Sequence, residues 1–258
     1  MSIGILTHVY NEAMLLPHWI EHHLPLVEQM VIIDHHSTDN TVEIIKSLAP
    51  EVTIVTSRLH EFDASGTDAE VMDVEASHLS TKWKVALNCT EFLWCKDLPA
   101  ILEEQGKEFE AIGLRAYMMV DSELNLPLDR PLWENRTNGY LDNETSLASR
   151  RWRYIHRMEH GGYGLGRHNT AHHSTRNVDW NILFAEFSPW PQAVERKMQV
   201  QTKIPAHDRA AGSGVQHQQS LQTLDNFYRS ELSKSSNLLL DKNFKANYDS
   251  YINQRGLS

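Results

Sequence analysis

Along the first ninety residues, short apolar runs alternate with stretches whose apolar positions recur at helical spacing. Residues 3–9 form one such run and end in Tyr10-Asn11-Glu12. Leu15, Leu16, Trp19, Ile20 and His23 then fall on one face of a helix. Residues 30–34 predict a second buried strand, and the Ser37-Thr38-Asp39-Asn40-Thr41 that follows supplies capping chemistry for a helix over 42–47. A third strand is expected at 52–56, a helix at 68–78, and a fourth strand at 83–87 that stops at Asn88-Cys89-Thr90-Glu91-Phe92. Strand and helix in alternation predict an open α/β sheet with helices on both faces. Ligands of such sheets sit beyond the carboxyl ends of the strands, and here those ends carry Asn11 with Glu12, Asp34 with Asp39, and residues 88–91. The last third reads as helical and polar, with helices expected over 190–202 and 221–232. The expected division is a nucleotide-binding part over residues 1–180 and a helical extension over 181–258, packed as one unit.

Composition narrows the class. A chain of 258 residues, 41% hydrophobic and 22% charged, can bury a full core, which excludes disordered and fibrous proteins. The apolar run over 111–120 is broken by Arg115 and is too short to span a bilayer, so no transmembrane segment is expected. The first residues read as a strand rather than a signal peptide, which predicts a cytoplasmic protein and leaves peripheral membrane attachment open. With two cysteines, Cys89 and Cys95, reduced thiols are expected and the sequons at Asn88, Asn135 and Asn143 carry no weight. A formal charge of −10 argues against a nucleic-acid partner, although Arg150-Arg151-Trp152-Arg153 is locally basic.

Three segments carry a family resemblance: residues 7–12 (Thr-His-Val-Tyr-Asn-Glu), the helix with Trp19 and His22-His23, and residues 31–34 leading into Ser37-Thr38-Asp39-Asn40-Thr41. In this order and spacing they resemble the opening of family 2 glycosyltransferases, and in particular a bacterial subgroup with a Trp and a His-His pair in the first helix. The likeness covers residues 1–95 and thins afterwards. It implies a GT-A fold, a mixed and mainly parallel sheet flanked by helices, with a nucleotide-sugar donor and a glycan or lipid-linked acceptor. Tyr10, Asn11, Glu12, Asp34 and Asp39 then fall where the family holds the donor nucleoside. By the same resemblance the chemistry is an inverting displacement, in which a base takes the acceptor proton.

The next motif departs from the family. Where its members carry Asp-x-Asp-Glu-Phe-Leu, this chain has Asn88-Cys89-Thr90-Glu91-Phe92-Leu93. Mg²⁺ and Mn²⁺ take carboxylate oxygens, which leaves Glu91 as the one charged ligand and Asn88 and Thr90 as neutral donor contacts. Fixed positive groups at the leaving diphosphate can do what a metal does. Arg157, Arg196 and Lys197 are candidates, as is the glycine-rich stretch 160–169, in which Arg167 and His168 follow Gly166. That stretch has two readings, a plain connecting loop and a lid that closes over the donor.

Fifteen histidines raise a metal alternative. His18 and His22 lack the zinc-protease arrangement and fit helix packing, while His168, His172 and His173 sit in a polar stretch without tetrahedral spacing. Candidates for the general base are Glu159, Asp179 and His168. Two other classes stay open, a non-catalytic nucleotide- or carbohydrate-binding scaffold and a histidine-rich metallohydrolase.

Overall fold

The computed structural model describes residues 2–123, 126–128, 131–142, 152–190, 192–212 and 219–256, with the side chains of 177–180 excepted. The first half follows the sequence pattern closely. Strand β1 (Ile3–Val9) leads to helix α1 (Leu16–His23), β2 (Gln29–Asp34) to α2 (Thr41–Leu48), and β3 (Thr53–Thr56) to α3 (Ala64–His78) and β4 (Trp83–Ala86). These four strands lie side by side in the order β4-β1-β2-β3, all parallel. Their side chains are apolar on both faces, as parallel strands covered on two sides require. Ile3, Ile5, Met30, Ile32, Trp83 and Val85 join one core with Leu16, Trp19 and Ile20 of α1 and Ile45 of α2. Leu6, Val31, Ile33 and Ala86 join a second core with Val71 and Val74 of α3 on the opposite face.

Helix α1 therefore leaves β1 over one face, and α3 reaches β4 over the opposite face. The chain runs outward from β1 to β3 over one face, then α3 carries it back over the other to place β4 on the far side of β1. Between β1 and β4 this makes a topological switch point, the crevice where open α/β sheets bind ligands.

The second half continues the sheet with mixed directions. Strand β5 (Glu91–Trp94) and helix α4 (Leu98–Gln105) precede β6 (Ala111–Val120), β7 (Asn138–Leu141), β8 (Trp152–His156) and β9 (Ser174–Phe187). β8 runs antiparallel to both β4 and β6, β7 antiparallel to β6, β9 parallel to β6, and β5 antiparallel to β9. The carboxyl ends of β6 and β9 consequently point the same way as those of β1 and β4, together with the start of β5 and the start of β8. Helices α5 (Gln192–Lys203), α6 (Ala206–Ala210), α7 (Leu221–Lys234) and α8 (Lys242–Gln254) follow, with the two-residue strand β10 (Ser236–Asn237) on β7. The boundary expected at residue 180 falls inside β9, and Phe244 and Tyr251 of α8 belong to the same core as α1. Among the described residues no helix is long and apolar enough to cross a membrane.

The Trp and His-His pair of α1 has a specific place. β5 pairs with β9 along one edge, and α1 meets the other. Trp19 Nε1 donates to the Glu91 carbonyl at 2.9 Å, and His22 Nε2 donates to the Leu93 carbonyl at 2.7 Å. The Leu93 N–H donates to His23 Nε2 at 3.1 Å while His23 Nδ1 donates to the Trp19 carbonyl at 2.8 Å. His23 is thereby fixed as the neutral Nδ1–H tautomer.

Burial holds both histidines below the usual imidazole range, His22 down to about 3. A lowered folded-state pKa means stability that is complete above the unfolded value of 6.5 and is lost as pH falls towards 3. The urea midpoint should therefore fall steadily below about pH 6.5. His22→Gln should remove up to about 1.4 kcal/mol per pH unit of that slope, the linkage of one proton. A slope in urea titrations that is identical with and without His22 would contradict this account.

Candidate functional site

The residues following β1 and β2 are braced against each other. Asn11 takes a left-handed backbone at φ 51°, a conformation Asn tolerates, and its N–H donates to Ser37 Oγ at 3.0 Å. Its side-chain oxygen accepts from the Thr38 N–H at 2.8 Å, and its amide donates to Thr38 Oγ1 at 3.3 Å. Asp39 accepts from the Thr41 N–H at 3.0 Å and from the Ala13 N–H at 3.2 Å, so it caps α2 and the α1 approach together. Asn11 and Asp39 thus shape the loops. Asp34 and Glu12 are less occupied. Asp34, buried at the end of β2, accepts the Ser37 N–H on both oxygens at 3.2 and 3.3 Å. Glu12 is buried, and its ion pair with Arg196 of α5 is long at 3.6 Å. Burial raises the Glu12 carboxyl to about 7, with Arg196 pulling against the rise.

Beside these ends lies a group of rings. His35 stacks on Phe62 with centroids 4.2 Å apart, His8 meets both edge-on, and Tyr10 packs on Phe62 at 5.8 Å. Lys203 at the end of α5 sits 4.8 Å above the Tyr10 ring, and its carbonyl accepts the Phe62 N–H. Burial pushes His35 down to about 3 and also lowers His8, so this flat-faced cluster is uncharged at neutral pH.

After β4, Asn88 and Glu91 meet two arginines that come from the second half of the chain. Arg153 Nε donates to Glu91 Oε2 at 2.7 Å, and its NH2 lies 2.6 Å from Oε1, a two-pronged pair with both side chains at most 3% exposed. The Asn88 N–H also donates to Glu91. These bonds hold the Glu91 carboxyl below its usual range against the opposing effect of burial. Arg167 donates to Asp68 Oδ1 of α3 at 2.7 Å and to Asn88 Oδ1. Thr90 is buried, and its carbonyl accepts the Ala185 N–H of β9 at 2.7 Å.

The glycine-rich stretch is tied down rather than free to close. The Gly161 N–H and the Tyr163 hydroxyl both donate to Glu75 of α3, and the Gly166 N–H donates to Asp68 at 2.7 Å. Arg153 donates to the Gly166 carbonyl, and the Gly164 N–H to Asn169. Gly166 at φ 73° and Arg167 at φ 59° turn the chain so that the guanidinium reaches Asn88. The stretch with two readings, a connecting loop and a lid, is a strut between α3 and the carboxyl edge in this structure.

The base candidates fare differently. Glu159 is exposed and follows β8, which runs backwards relative to β4, and its carbonyl accepts Lys84 Nζ at the start of β4. It stands at the amino edge of the sheet, remote from the other candidates. His168 does reach the site, but Arg153 NH1 donates to its Nδ1 at 2.8 Å. A guanidinium cannot accept, so the ring proton sits on Nε2 and His168 presents a donor rather than a base. Asp179 lies outside the described residues.

The Asn88–Glu91 position does not make a donor set for a hard cation. Both Glu91 oxygens lie on Arg153, the Asn88 oxygen on Arg167, and the buried Cys89 thiol is raised well above its usual range. Among the described residues, three potential ligands converge at Asp63, His207 and Asp208. There Asp63 caps α3 through the Gly66 N–H and Asp208 accepts the Ala64 N–H, and none of His168, His172 or His173 takes part.

No protein-family model matches the chain, and neither does any curated protein. Among solved structures it is similar to a mannosyltransferase, PcManGT from Pyrobaculum calidifontis, in complex with GDP-Man and Mn²⁺. That match has 11% identity over 99% of this chain and 75% of that one, at a TM-score of 0.48. S. aureus TarS is similar at 14% identity over 49% of this chain, TM-score 0.34, and its 1–349 form at 12% over 79%, TM-score 0.43. The chain spans 23% of TarS and 65% of the shorter form. At such distances the chemistry has to be read from the residues themselves.

Sequence reasoning missed Asp68 and Glu75, which anchor the strut, and did not pair Arg153 with Glu91. One signal was available. Helix α3 has buried Val71 and Val74 but also buried Asp68, Glu70 and Glu75, and buried acids need partners from elsewhere in the chain. The Glu91–Arg153 pair generates a direct test. Glu91→Gln leaves a buried guanidinium without its counter-charge and should cost about 3–5 kcal/mol in urea unfolding. A Glu91 that served only as a surface ligand would leave the urea midpoint near that of the parent.

Proposed function

We propose that this chain is a GT-A glycosyltransferase that binds a nucleotide-diphosphate sugar in the β1–β4 crevice and passes the sugar to a hydroxyl acceptor. The observation that carries the reading is the switch point itself. Tyr10, Glu12 and Asn88 stand at its two strand ends, and Arg167 and Arg196 reach it from the second half. The order of segments that resembles family 2 glycosyltransferases supplies the same strand ends independently.

In this reading the flat, uncharged cluster of Tyr10, His35 and Phe62 meets the nucleoside base. Asp34 accepts from the base or ribose. A buried carboxylate with only two long bonds is a natural acceptor for a ligand N–H or O–H. The acceptor is a glycan or lipid-linked hydroxyl, and the displacement inverts the anomeric centre. Of the carboxyls at this edge, Glu12 has an acidity suited to a general base, near 7. Glu12 then takes the acceptor proton as the acceptor oxygen attacks the anomeric carbon and the diphosphate departs. The alternative of a non-catalytic scaffold draws on the missing aspartates and shares the nucleotide site.

The test is calorimetry with a panel of nucleoside diphosphates and nucleotide sugars, followed by a donor-hydrolysis assay. Asp34→Ala should weaken nucleotide binding by about 1–3 kcal/mol, the scale of a lost hydrogen bond in a desolvated site. Glu12→Gln should abolish turnover with little change in nucleotide affinity. No binding by the folded parent protein would sink the whole reading, while binding without any turnover would favour the scaffold.

A further inference from the structure

The departure from the Asp-x-Asp pattern has a physical counterpart in the fold. The position where the resemblance expects metal-binding carboxylates is occupied by neutral Asn88, Cys89 and Thr90, and Glu91 is consumed by Arg153. A dication placed on this segment would find its one carboxylate already taken and would face guanidinium groups already present. We propose that the donor diphosphate is held without a divalent cation, by the guanidinium groups of Arg167, at Asn88, and Arg196, at Glu12. This rests on the reading of the crevice as a nucleotide-sugar site.

The three arginines of this edge are not equivalent. Arg153 spends its nitrogens on Glu91, the Trp152 and Gly166 carbonyls and His168, so it is a structural brace. Arg167 engages Asp68 and Asn88 through its terminal nitrogens, while its buried Nε–H has no partner among the described residues. Its left-handed backbone at φ 59° is a conformational cost that points the side chain at the end of β4. Arg196 is the most open of the three, 15% exposed, and lies 3.6 Å from Glu12, beyond hydrogen-bond distance. The long contact leaves the fork of Arg196 without a close two-pronged partner at Glu12, unlike Arg153 on Glu91. Glu12, which Arg196 faces, follows β1, and β1 lies directly beside β4 in the sheet.

Guanidinium groups suit this task. Their planar fork matches phosphate oxygens, and they stay charged at every working pH. Fixed in advance on α5 and on the strut, they stabilise the departing diphosphate without reorganising. The reaction needs no other co-reactant. The acceptor oxygen forms its bond to the anomeric carbon as the bond to the diphosphate oxygen breaks, the proton goes to the base, and the electron pair of the broken bond leaves on the diphosphate.

The experiment is calorimetric titration of the full chain with UDP, GDP, ADP, CDP and dTDP, each in excess EDTA and in excess Mn²⁺. Whichever diphosphate binds should do so with affinities in the two buffers within about threefold. Arg196→Gln should weaken that diphosphate by about tenfold or more and leave the matching monophosphate nearly unchanged. Arg167→Lys should do the same. If it fails to fold, Arg196→Gln and the EDTA comparison decide alone. Binding lost in EDTA and restored by Mn²⁺ overturns the proposal and leaves the nucleotide site standing, as does an Arg196→Gln protein that binds like its parent. No diphosphate binding in either buffer removes the nucleotide-sugar reading together with this one.

Discussion

A strand inside a protein must satisfy the backbone groups on both of its edges, and β5 has a strand on only one side. Its other edge is satisfied by side chains of α1, where Trp19, His22 and His23 bond the backbone of Glu91 and Leu93. Much follows from that fixture. The first helix cannot slide or rotate relative to β5 without breaking buried hydrogen bonds. Glu12 at its leading end and Glu91 at the start of β5 are consequently held in one arrangement. Because β5 also pairs with β9, which pairs with β6, the same fixture connects the parallel half of the sheet to the antiparallel half.

The carboxyl edge built on this frame is crowded with buried charge, and four of its carboxylates have a counterpart from distant sequence. Glu91 has Arg153, Asp68 has Arg167, Glu12 has Arg196, and Glu186 has Lys197 at 2.8 Å. Desolvating such groups is costly, so pairing is a condition of folding rather than an added source of stability. Pairing also differs in tightness. Glu91 is gripped by two bonds under 2.8 Å, whereas Glu12 is left with one long contact. The tight pair serves as scaffold, and the loose pair retains chemistry to offer.

The fold was legible where local patterns decide structure. The first four strands have apolar centres, α1 and α2 carry clear periodicity, and the bounds of the strands emerge within a few residues of the expectation. Direction in the second half was not legible. A strand's residues do not state which way it pairs, and Glu159 was a base candidate by residue type alone. Antiparallel pairing carries it to the opposite edge. The glycine-rich stretch failed for a related reason. Glycine content reports conformational freedom of the free chain, but the Gly161 and Gly166 N–H groups find carboxylates on α3 about ninety residues away. The Trp and His-His pair was read as packing, which is what it does, yet the backbone it holds could not be seen from α1 alone.

Backbone conformation adds a last link between fold and site. Among the described residues, left-handed φ at non-glycine positions occurs at Asn11, His36 and Arg167. Asn11 follows β1, His36 follows β2, and Arg167 bonds the residue beyond β4, so all three gather at one edge of one sheet. Asn accepts this conformation readily, but for His and Arg it costs free energy that ordinary turns avoid. The surroundings enforce it in each case. Thr38 holds Asn11, stacking on His60 at 4.5 Å holds His36, and Asp68 with Asn88 holds Arg167. A structural turn at these places could have used glycine without strain. What glycine cannot supply is the amide that holds Thr38, the imidazole that stacks on His60 or the guanidinium that joins Asp68 to Asn88, so each strained position carries a side chain that ties this edge together.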